Sequence, residues 1–167
     1  MSTNPRRIFL KSAAFGAGYA ILGITRGLAM RPDQKEKPPP IAGEIVKEFV
    51  GAGHGKFDRV QQMLAETPNL LNASWDWGGG DYESAIEGAG HMGNREIAEY
   101  LLSRGARLNI FAAAMLGKID IVKSTLTAFP ELKTSKGPHG IMLLQHATKG
   151  GDQAKEVLEY LKEIGAT

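Results

Sequence analysis

The chain contains no cysteine. Disulfides, cysteine-ligated zinc, iron–sulfur ligation, a thiol nucleophile and a lipid anchor on an N-terminal cysteine are therefore excluded. Its body also lacks an excess of positive charge. Of 20 basic residues, Arg6, Arg7, Lys11 and Arg26 stand in the first 29 positions, where no acid occurs. The remaining 16 face 18 acids without clustering, so there is no nucleic-acid footprint. The apolar stretch from Ser12 to Ile24 falls short of the roughly 20 residues that a membrane-spanning helix needs. The run Gly78-Gly79-Gly80 lacks the lysine and the hydroxyl residue of a phosphate loop. His54, His91, His139 and His146 show no metal-ligand spacing along the chain. Spacing alone thus indicates no metal, cofactor or catalytic site.

What the chain does have is internal recurrence. Residues 49–70 return at 111–132 without a gap: Phe49, Ala52, Gly55, Lys56, Asp58, Val60, Leu64, Pro68 and Leu70 answer to Phe111, Ala114, Gly117, Lys118, Asp120, Val122, Leu126, Pro130 and Leu132. EYLLSRGA at 99–106 returns as EYLKEIGA at 159–166. Apolar residues at helical spacing, broken at Gly55, Gly93, Gly117 and Gly150, predict four helical pairs: 43–51 with 57–66, 84–92 with 94–104, 110–116 with 120–128, and 141–149 with 153–164. Units of this size read as a solenoid, in which each buries its apolar face against its neighbours.

Residues 5–11 read PRRIFLK, followed by a Gly- and Ala-rich apolar run and by Gly27 and Ala29. A basic start, an apolar middle and small residues at a cut site form a secretory signal. Arg6, Arg7, Phe9, Leu10 and Lys11 resemble the twin-arginine (Tat) signal, an address read by a receptor. That resemblance implies a signal peptide over 1–29, cleavage ahead of Met30, the Tat translocase as a partner of the precursor, a periplasmic location and no stable membrane anchor afterwards. Residues 30–40 carry Pro38-Pro39-Pro40 and form an extended tether before a domain over 41–167.

The second unit reads Ser84-Ala85-Ile86-Glu87-Gly88-Ala89-Gly90, then Gly93-Asn94, Glu96-Ile97, Leu101-Leu102 and Gly105-Ala106; the third gives Ala113-Ala114, Gly117-Lys118 and Asp120-Ile121-Val122. These residues resemble the ankyrin repeat. The resemblance covers about residues 41–166 and implies an all-α solenoid of about four helix-turn-helix repeats that binds proteins rather than transforming substrates.

Two places could carry recognition. Trp75 and Trp77, the only tryptophans, flank Asp76 in one inter-unit loop, with Asp81, Tyr82 and Glu83 just beyond. Tryptophan is enriched at binding hot spots, and alternation places both rings on one side of an extended strand. Covering the core between units is the other use for such rings. Glu87 and His91 stand four residues apart on one helix face, where their side chains can meet. They extend the candidate partner surface, with His146 next. The leading expectation is an exported, non-catalytic interaction module without a cofactor, binding another exported protein. The alternative is a small hydrolase or ligand-binding protein using Glu87 and His91.

Overall fold

A computed structural model describes residues 37–167, with the folded unit running Pro39–Thr167. The expected signal peptide over 1–29 and linker residues 30–36 lie outside the described residues. Eight α-helices form among the described residues, in four pairs. They are α1 (Gly43–Ala52) with α2 (Phe57–Glu66), α3 (Ala85–Met92) with α4 (Arg95–Ser103), α5 (Ile110–Met115) with α6 (Ile119–Ala128), and α7 (Leu143–Lys149) with α8 (Lys155–Glu163).

Local chemistry explains the elements. On α2, Val60, Met63 and Leu64 turn inward while Gln61 and Gln62 face solvent, a single apolar stripe. Pro68 and Pro130 follow α2 and α6 and open short 3₁₀ turns at Pro68–Asn72 and Pro130–Thr134. Asn94 and Asn109 cap α4 and α5, their side chains accepting from Ile97 N and Ala112 N. The last pair departs from expectation. The helix α7 starts at Leu143, and a 3₁₀ turn at Gly151–Ala154 precedes α8.

Members of each pair pack together, and α1, α3, α5 and α7 form a row. Helix α3 also touches α7 directly, a contact beyond nearest neighbours that a strictly one-dimensional stack would lack. Gly90 faces that contact: a side chain there would begin 3.6 Å from the His146 ring. Phe49, Val60, Leu70, Ile97, Leu101 and Met115 centre one buried cluster, and Val122, Leu143, Val157 and Leu161 another.

The described residues are mostly helical, as the all-α expectation has it, with one small sheet besides. Ser74–Asp76 (β1) pairs antiparallel with Tyr82–Ser84 (β2), with Trp75 opposite Glu83. Gly78, Gly79 and Gly80 close the hairpin at φ 135°, 66° and 90°, values that side chains disfavour. Asp76 Oδ1 ties the turn by accepting from the amides of Gly78 at 2.9 Å and Gly80 at 3.1 Å.

Candidate metal centre

The hairpin turns one carboxylate inward. Strand alternation leaves Tyr82 63% exposed and Glu83 fully buried. A buried carboxylate is costly unless it is paired, and three histidines from three other segments meet this one. Glu83 Oε1 stands 2.7 Å from His91 Nε2, 3.4 Å from His54 Nε2 and 3.5 Å from His139 Nε2. One ligand atom from each of the four residues lies within 4.8 Å of the others. The second carboxylate oxygen accepts from Trp77 Nε1 at 2.7 Å.

Each histidine is placed by a distinct device. His54 follows α1 in the turn to α2, and its Nδ1 donates to Val50 O at 3.2 Å. Its ring lies over Gly88 of α3, where a Cβ would stand 2.9 Å from Nδ1; glycine there makes room for the imidazole. His91 occupies the last turn of α3 and is 8% exposed. His139 sits in the 3₁₀ turn Pro138–Gly140 at φ 58°, an uncommon conformation for a residue with a side chain. Asp81 holds it there from 58 residues away: Oδ1 accepts from His139 N and Oδ2 from His139 Nδ1, both at 2.8 Å. Strain of this kind clusters at functional sites.

Electrostatics agree with the geometry. Burial raises the Glu83 pKa. The hydrogen bonds from His54, His91 and Trp77 and the attraction of His54 together outweigh that and bring it down to about 2, so the carboxylate is charged at neutral pH. The hydrogen bond to Glu83 raises His54, against the opposing effect of burial.

The donor set fits a divalent transition ion. Nδ1 of His54 and of His139 are both engaged as donors, so an ion that displaces the Nε2 proton would find those lone pairs facing the cluster. A tetrahedral ion with bonds of about 2.0–2.1 Å separates its ligand atoms by roughly 3.3–3.4 Å. The His54–Glu83 and His139–Glu83 distances already match, and His91 would have to open by about half an ångström. Imidazole suits zinc, copper, iron and nickel. His54 and His139 are about one-third exposed and mark the solvent side, whereas Glu83 and His91 form the floor.

Glu83 and His91 were expected on a partner-binding surface, but both are buried and belong to this cluster. The expected meeting of Glu87 with His91 does not occur among the described contacts. Glu87 Oε2 accepts instead from Ser84 N at 2.8 Å and Ser84 Oγ at 2.6 Å, and its Oε1 accepts from Asn109 Nδ2 at 2.8 Å. It caps α3 and ties it to the start of α5. Trp75 packs along α1 against Gly43, with Lys47 Nζ 5.7 Å from its ring centre, and Trp77 remains 38% exposed. Asp76 closes the glycine turn, Asp81 clamps His139, and only Trp77 and Tyr82 of the expected patch are well exposed. His54 and His139 show no metal-ligand spacing along the chain, and only the fold brings them together. The chain matches no protein-family model and no curated protein.

Proposed function

We propose that the protein binds one divalent transition-metal ion, with zinc the best fit, through Nε2 of His54, His91 and His139 and Oε1 of Glu83. The observation that carries this reading is the convergence of those four atoms within 4.8 Å around a buried carboxylate. Four protein ligands fill a tetrahedral zinc ion and leave no position for an activated water. The ion is therefore structural: it fastens the β-hairpin and the His139 turn to α1 and α3.

Calorimetric titration of chelator-treated protein with Zn²⁺ tests this. One site per chain is expected, with a rise in Tm of roughly 8–15 °C at one hundred times Kd. Absence of binding, or binding unchanged in His91→Ala, would overturn it.

The organisation around the ion supports a second element of the reading. The row α1–α3–α5–α7, the recurrence of residues 49–70 at 111–132 and the exposed rings of Trp77 and Tyr82 favour an ankyrin-type interaction module, with the metal holding the contact hairpin in place. Its partner is another exported protein, and RRIFLK at 6–11 favours Tat-dependent passage to the periplasm. Replacing Arg6 and Arg7 together by lysine should keep the precursor in the cytoplasm. Normal periplasmic accumulation of that variant would remove the Tat assignment.

A further inference from the structure

We infer that His146 is a positioning residue for the metal centre, the acceptor for the Nδ1–H of the ligand His91. This rests on the metal-binding reading above.

His146 is fully buried on α7. Its Nδ1 donates to Met142 O at 2.9 Å, one turn earlier on the chain, which fixes Nε2 as an acceptor. Among the described residues, that Nε2 is the buried side-chain nitrogen or oxygen atom without a hydrogen-bond partner. Leaving such an atom unpaired is destabilising, and a leucine in its place would fill space without that penalty.

A second gap lies beside it. A metal-bound histidine almost always gives its other ring N–H to an acceptor, which fixes its tautomer and orientation. His54 gives to Val50 O and His139 gives to Asp81. His91 engages Glu83 through Nε2, and no described protein group accepts from its Nδ1. The rings of His91 and His146 stand 6.4 Å apart at 86°, with Phe111 5.1 Å from His146. Gly90, the residue before His91, has no side chain where the His146 ring approaches. Ring centres 6.4 Å apart are near enough for one bridging water, making two hydrogen bonds of about 2.9 Å, to join the two imidazoles. When the ion takes Nε2 of His91, the proton remaining on that ring is at Nδ1, and the buried Nε2 of His146 is the acceptor for it. The α3–α7 contact thus links the fourth helical pair to the ion.

The test compares Zn²⁺ affinity in wild type, His146→Phe and His146→Gln, with the Tm of each apo protein. Phenylalanine keeps a ring and removes the acceptor; glutamine restores a polar atom near the position of Nε2. The inference predicts an apo His146→Phe at least as stable as wild type, Zn²⁺ binding weakened about 10–100-fold, and recovery of most of that loss in His146→Gln. Wild-type affinity in a folded His146→Phe would overturn it and leave the metal reading intact, whereas absence of binding by wild type would overturn the metal reading itself. Should His146→Phe unfold, histidine-selective ¹⁵N spectra of wild type decide. The His146 Nε2 resonance should move toward its hydrogen-bonded position as Zn²⁺ is added, and an unmoved resonance rejects the inference.

Discussion

Residues 49–70 and 111–132 recur in sequence and bury several of the same positions, but they differ in what surrounds them. Val60 and Val122 are both fully buried, and Leu64 and Leu126 are 3% and 4% exposed. These matched positions carry the core in each half. His54, by contrast, corresponds in the 62-residue offset to Leu116, a buried apolar residue. The capping contacts give a second correspondence: Glu87 accepts from Ser84 N at the start of α3 as Gln145 accepts from Met142 N at the start of α7. One position beyond these caps stand Gly88 and His146. In the first half the empty position admits the ring of His54; in the second a histidine occupies it and donates to its own helix. Between the matched segments, the first half inserts a hairpin that buries Glu83. The second inserts the short turn that aims His139 at it. The matched residues named here are buried, whereas the four residues of the candidate cluster have no counterpart of the same type at the 62-residue offset.

Glu83→Ala should break this contrast most strongly. It removes the carboxylate that three histidines face, and Zn²⁺ affinity should fall at least about 100-fold, since loss of an outer-shell partner alone costs 10–100-fold. Gln145→Ala loses one capping hydrogen bond, worth about 1 kcal/mol, and should leave Zn²⁺ affinity unchanged. Calorimetry on both variants checks the pair.

The core positions should behave alike. Leu101 and Leu161 are fully buried in their respective halves, and each change to alanine should cost about 2–5 kcal/mol in chemical denaturation. Exposed Lys118→Ala should stay within about 0.5 kcal/mol. A large disparity between the two leucines would contradict the common scaffold.

Gly88→Ala separates site from fold. A Cβ would press on the His54 ring, so Zn²⁺ affinity should drop about tenfold. The helix itself gains up to about 1 kcal/mol of propensity, so apo stability should change little. Parallel affinity and Tm measurements distinguish the two effects.

A further effect is expected on the acid limb of apo stability. The Glu83 pKa is lowered to about 2 in the folded protein from an ordinary 4.5. Its contribution is therefore present above pH 4.5 and disappears as pH falls through about 2. His54 shifts upward, so its contribution is complete below its ordinary 6.5 and fades as pH rises through its higher folded value. Urea midpoints between pH 2 and 5 should slope less steeply in Glu83→Gln than in wild type.

Helices were readable because burial imposes a period of 3.6, and the predicted span of α2 coincides with the observed Phe57–Glu66. The hairpin was less readable, because three-residue strands are too short for alternation to stand out from a loop. The site was illegible as a set. Its ligands come from a turn, a strand, a helix and a 3₁₀ turn, with only Glu83 and His91 close in sequence, eight residues apart. One misreading had a local remedy. Ser84-Ala85-Ile86-Glu87 has the S-x-x-E pattern of a capping box, which commits Glu87 to the helix start and frees His91 for another carboxylate.

The most direct measurement is anomalous diffraction at the zinc edge from crystals of the protein grown with one equivalent of Zn²⁺. The account predicts a single strong peak about 2.0–2.2 Å from Nε2 of His54, His91 and His139 and from Oε1 of Glu83. No peak within that cluster, with zinc held elsewhere or not at all, would contradict it.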